Sequence, residues 1–165
     1  MSENSNLLSG DGLGSAVDPI FADWEKENYE HALRVAELLK PNKVVLFGAM
    51  EVAGITHITI EFNGYGDEGQ MEDARAYAEG TEIAMPEDRI EILDAMWGSR
   101  DTERQTVMIG EAVTSIAWAI LGRLYGGWQD NDGAFGEFKF DVATATITLD
   151  FNERYTDSTN YTHEF

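Results

Sequence analysis

The chain has 165 residues, a formal charge of −20 and no cysteine, which is the length of one ordinary domain. Hydrophobic residues make up 43% of it and aromatics 11%; that argues against a disordered chain, and the missing cysteine excludes disulfides, thiolate metal sites and cysteine nucleophiles. The 31 acids against 11 Lys and Arg argue against direct nucleic-acid binding and against docking on anionic membrane, and favour basic or cationic partners.

The start, "MSENSNLLSGDGLGS", has neither the basic end nor the apolar core of a secretory signal. Residues 1–17, rich in Gly, Ser and Asn, are expected to form a flexible tail, with a single domain over 18–165. Asp18-Pro19 opens a helix as N-cap and first turn. Phe21, Trp24, Ala32, Val35 and Leu39 carry the helical period to Lys40, and Pro41 is expected to end it. Asn42 then caps a second, shorter helix, "KVVLFGAMEVA", which stops at Gly54.

"THITIEFNG" changes the period from 3.6 to 2. Ile58, Ile60 and Phe62 point one way, while His57, Thr59, Glu61 and Asn63 point the other, as in a half-buried strand. "GYGDEGQMED" is expected to be an acidic, glycine-punctuated loop, and "DRIEILDAM" a helix or short strand. From Thr102 to Tyr125 the apolar positions fit one central helix, closed by Gly126-Gly127. The longest apolar stretch within it, "SIAWAILG", is far short of the roughly 20 residues that cross a bilayer, so a cytoplasmic location is expected.

Next, "EFKFDV" and "ATITLDFNERY" alternate strictly, and their short connection at Ala143–Ala145 makes an antiparallel hairpin. The fold class expected is therefore α+β: two layers, an antiparallel sheet of at least three strands, and helices packed on one face.

Chemistry is harder to place. "DNDGAFGEF" tempts a calcium reading, but with Gly133 at position 6 of an EF-hand loop, Trp128 and Lys139 fall at positions 1 and 12, where oxygen ligands are required. A looser divalent-cation site from Asp67, Asp132 and Glu137 is the alternative. Otherwise the segment is a corner, with Gly126, Gly127, Gly133 and Gly136 supplying left-handed backbone and Asn131 and Asp132 the turn hydrogen bonds. The loop "GYGDEGQ" lacks the lysine and the spacing of a phosphate loop. His31, His57 and His163 have no pair at metal-ligand spacing, and no serine elbow is present. No catalytic residue is assigned and no cofactor is expected. His57 falls on the polar strand face.

The alternation itself gives a surface. With Phe138, Phe140, Val142, Ile147, Leu149 and Phe151 toward the helices, Lys139, Thr146 and Thr148 face outward together with Glu137, Asp141, Asp150 and Asn152, which Glu61 joins from the other strand. The last five are the candidate partner-binding residues.

"NKVVLFGAMEVAGI", "FNGYGDEGQMED", "GGWQDNDGAFGEFKFDV" and "ITLDFNERYTDS", ending in "THEF", resemble a widespread bacterial domain family of unknown function. The family is characterised by a GDSGQ-like loop, a GGWENNDGAYGEF-like corner and an ITLDFNER-like strand. This chain has Glu68 and Phe135 where serine and tyrosine would stand, so neither place offers a hydroxyl nucleophile. The resemblance implies a bacterial cytoplasmic domain and brings no activity with it. The leading functional expectation is an acidic interaction domain, an inhibitor or regulator docking a basic protein, as a nucleic-acid mimic would. The alternative is a metal-assisted hydrolase built from the two glycine-rich loops.

Overall fold

A computed structural model describes residues 19–130 and 132–165; the expected tail, the Asp18 cap and the turn role of Asn131 lie outside these. Helix α1 (Pro19–Val52) is followed by strands β1 (His57–Tyr65), β2 (Glu68–Met71), β3 (Arg75–Ala78), β4 (Thr81–Ile83), β5 (Arg89–Ala95) and β6 (Thr102–Met108). Helix α2 (Ile109–Leu124) and the hairpin β7 (Ala134–Asp141) and β8 (Thr146–Glu153) complete the chain. The larger sheet runs β4-β3-β1-β7-β8, with β2 also on β1, and every pairing in it is antiparallel. The architecture is α+β, with the helices packed against this sheet.

The core follows the predicted alternation. Ile58, Ile60 and Phe62 of β1 and Phe138 and Phe140 of β7 are fully buried against Ala112, Val113, Ile116, Ala117 and Leu121 of α2 and Leu46, Phe47 and Met50 of α1. Ile147, Leu149 and Phe151 of β8 pack at its margin. The opposite face of the sheet carries the polar residues of each strand.

Pro41 does not end α1: one helix continues through it to Val52. An interior proline removes a helical hydrogen bond and costs about 3 kcal/mol, so tertiary contacts must hold the far half in line. Asn42 is central to this. Instead of capping a second helix, its buried side chain pairs with the backbone of Leu93 in β5. Nδ2 donates to the carbonyl at 2.8 Å, and Oδ1 accepts from the N–H at 2.8 Å. One amide thus occupies a strand edge as a neighbouring strand would.

The central helix is also shorter than its apolar pattern. Thr102–Met108 is β6, paired with β5 in a separate two-stranded sheet, and α2 begins at Ile109. There the Glu111 carboxylate accepts the Met108 N–H at 2.9 Å and fixes the strand-to-helix junction. The expected acidic loop is a hairpin of β1 and β2, with Gly64 opposite Gly69. Strands β3 and β4 meet through Glu79 and Gly80, at φ 51° and 82°, the left-handed pair that matches strand twist in a two-residue turn. "DRIEILDAM" is the strand β5.

Candidate functional site

The two glycine-rich segments meet. The Trp128 indole, 7% exposed, lies across the Gly64–Gly69 cross-strand pair so closely that a Cβ would come 2.6 Å from it at Gly64 and 2.8 Å at Gly69. Phe62 and Trp118 close on the same ring, with centroids 5.4 and 5.6 Å away. Gly133, at φ 78°, sits where a Cβ would overlap the Gly64 carbonyl oxygen. Arg154 stitches the corner: its guanidinium donates to the Gly64 carbonyl at 2.9 Å and to Asn63 Oδ1 at 2.8 Å, and its backbone N–H donates to the Gly133 carbonyl at 2.9 Å. The same guanidinium lies 4.6 Å above the Phe135 ring.

This convergence is a packing lock, and it gathers backbone rather than carboxylates. Asp132 accepts the Thr156 hydroxyl at 2.7 Å, Asp67 lies in the turn between β2 and β1, and Glu137 stands on the open sheet face. Among the described residues no group of three or more His, Asp or Glu side chains is placed to hold a metal ion. The expected set of Asp67, Asp132 and Glu137 is therefore not assembled. Of the four corner glycines, Gly127 and Gly133 adopt positive φ and Gly126 and Gly136 do not. Gly136 instead lies in β7, where a Cβ would overlap the Asp150 carbonyl oxygen.

The open face of the larger sheet holds a different arrangement. Register places Glu61 directly opposite Glu137, and Glu137 directly opposite Asp150, so three carboxylates form one row across β1, β7 and β8. Hydrogen-bond parity follows from two bonds, Val142 N–H to the Thr56 carbonyl and Arg154 N–H to the Gly133 carbonyl. It makes Glu61–Glu137 a non-hydrogen-bonded pair, the kind whose side chains stand closest. Such pairs have Cβ atoms roughly 4.5–5.5 Å apart, and like charges there are destabilising. None of the three carboxylates forms an ion pair or a side-chain hydrogen bond with another described residue; the ion pairs among those residues are Arg104–Glu91 and Lys139–Asp141.

The row forms the floor of a polar pocket of about 650 Å³, walled by Arg75, Tyr77, Glu72 and Asp73 on one side and by Asn63, Asn152 and Arg154 on the other. Lys139, outward as alternation places it, and Arg75, which the short β3 adds, flank the row through their pairings with Thr148 and Thr59. His57 stacks flat on Tyr77, centroids 4.6 Å apart.

Of the five expected binding residues, Glu61, Glu137, Asp150 and Asn152 line this pocket and Asp141 does not. Asp141 Oδ1 accepts the Thr144 N–H at 3.1 Å and organises the β7–β8 turn. That bond, chiefly, with a second contribution from the Thr144 hydroxyl and then Lys139, holds its carboxyl below the ordinary value. Sequence reasoning missed Arg154, Arg75 and Tyr77. Arg154 was within reach, because it continues the outward series Asp150 and Asn152. Arg75 and Tyr77 sit on a strand of four residues, too short for a period to show.

Compared with known proteins, the chain matches a family of unknown function (DUF6878) over residues 38–165. It belongs to that family. The matched region contains the Trp128 lock and all of the carboxylate row, while the first half of α1 lies outside it. The family carries no assigned activity. No curated protein and no solved structure shows a significant match to the chain. Among the described residues no helix is long and apolar enough to cross a membrane.

Proposed function

We propose that this family member is a bacterial cytoplasmic interaction domain that docks a basic protein on the open face of its larger sheet, as an inhibitor or regulator does. The observation that carries the reading is the row Glu61–Glu137–Asp150. Three aligned carboxylates without a cationic partner weaken the fold they stand on, and a guanidinium or ammonium group set among them would relieve that repulsion. Arginine suits such a place because its planar fork engages two carboxylates at once. The overall charge of −20 would steer a basic surface toward the face. A target that normally holds DNA or RNA in a basic groove fits the same chemistry, with this domain acting as a nucleic-acid mimic in conflict between a host and its phage or plasmids.

The test is capture of a basic protein from nuclease-treated lysate, with the triple variant Glu61→Gln, Glu137→Gln, Asp150→Asn beside the wild type. The reading predicts a discrete complex that salt weakens and that the triple variant loses while remaining folded. Added nucleic acid should compete if the target binds it. A complex retained in full by the triple variant would show that another surface is used.

A further inference from the structure

Strand β8 ends the sheet, and its outer edge meets no described strand. Residues 146, 148, 150, 152 and 154 direct their backbone groups toward β7, as the Arg154–Gly133 bond fixes. The N–H and C=O groups of Ile147, Leu149, Phe151 and Glu153 therefore face outward, and none bonds to another described residue. The other edges are blunted. Strands β2 and β4 have four and three residues, β5 is met at Leu93 by the Asn42 amide, and β6 carries Glu103 and Arg104. Strand β8 has eight residues, carries no Pro, Gly, Lys or Arg, and has Asp150 and Glu153 as its charges, so it lacks the shortness, proline and basic side chains that keep an edge from pairing.

We infer that β8 pairs with β8 of a second copy of this chain, antiparallel about a two-fold axis through Leu149. Self-complementarity selects that register. With Leu149 opposite itself, the outward-facing groups at 147, 149 and 151 all find partners, Ile147 bonding with Phe151 of the second copy. On the polar face Thr148 stands opposite Asp150 of the second copy, and Thr146 opposite Asn152, so each acceptor meets a donor. Moving the axis one residue to Asp150 would set two carboxylates against each other. A two-fold centred on Thr148 gives fewer bonded pairs within the strand.

A second observation supports this occupant. On the helix side of the same edge lies an apolar groove of about 450 Å³, lined by Val35, Leu39, Trp118, Ile120, Leu124 and Ile147 among others. The proposed register brings Phe151 of the second copy opposite Ile147, on the groove side, so strand pairing and apolar burial act together. Because the axis is normal to the sheet, both carboxylate rows then face the same way. The dimer itself does not depend on the basic partner.

Sedimentation equilibrium of the full chain tests the inference with Thr148→Asp. Within one copy the new carboxylate faces Lys139, which the monomer tolerates; across the axis it faces Asp150 twice. The dimer dissociation constant should rise by about tenfold or more, with circular dichroism unchanged. The swap Thr148→Asp with Asp150→Thr restores the pairing and should restore the dimer. An independent readout needs no variant: the amides of Ile147, Leu149 and Phe151 should gain exchange protection as wild-type concentration rises. A wild type that stays monomeric at the highest concentration loaded would overturn the proposal. So would a dimer indifferent to Thr148→Asp, a swap that fails to restore association, or protection that does not grow at those three amides.

Discussion

The corner around Trp128 and the carboxylate row of the open sheet face are neighbours built on opposite principles. At the corner, Gly64, Gly69 and Gly133 let backbone and indole approach to distances that no side chain would permit. Its charged anchors are held: Arg154 is shared between the Gly64 carbonyl and Asn63, and Asp132 accepts from Thr156, while Gln129 Oε1 is the buried polar atom there without a described partner. In the row, Glu61, Glu137 and Asp150 stand in a register that repels and lack ionic partners among the described residues. The corner holds the fold, and the row strains it. Satisfied geometry points to stability, whereas charge left unpaired in a pocket points to binding.

The largest effect expected is at the corner. Gly133→Ala combines a left-handed backbone with overlap on the Gly64 carbonyl, so urea unfolding should show a loss of about 2–5 kcal/mol. A loss no greater than that of an exposed Ala substitution would break the lock. In the row the sign reverses. Glu137→Gln removes the shared member of two like-charge pairs and should stabilise by about 0.2–1 kcal/mol. A clear destabilisation would mean that Glu137 has a structural partner and would erase the contrast.

Asp141 sharpens the comparison, because it lies on the same strand as the row yet behaves like the corner. Its carboxyl titrates below the ordinary value through the Thr144 bond. Its stabilising contribution is therefore fully present above the unfolded value of about 3.9 and is lost as pH falls through the lower folded value. Asp141→Asn should flatten the acid limb of the stability curve while leaving the neutral region little changed in slope. An acid limb identical to wild type would remove that role. The smallest effect is global: sodium chloride should raise the melting temperature modestly by screening a −20 chain.

The contrast also explains what the sequence disclosed. Strict alternation in β1, β7 and β8 made the inward set readable down to Phe138 and Phe140, and the outward set with it, because a period of two leaves one choice of face. Four of the five residues so chosen line the pocket. The glycine-rich text was louder but misleading as chemistry, since its glycines serve the approach of Trp128 and of two backbones, contacts between segments far apart in sequence. Pro41 misled because the Asn42–Leu93 pairing that helps anchor α1 there is likewise non-local. The pattern of β6 merged with that of α2 because no glycine or proline separates Met108 from Ile109. Strands of three or four residues, such as β3 and β4, carry too few positions for a period.

One measurement bears most directly on the claim that the row is kept for binding rather than for folding: stability and capture of the basic partner, read on the same Glu61→Gln, Glu137→Gln, Asp150→Asn protein. The account predicts that unfolding shifts to higher denaturant while the complex is lost. A variant that unfolds more easily, or one that keeps its partner, would contradict it.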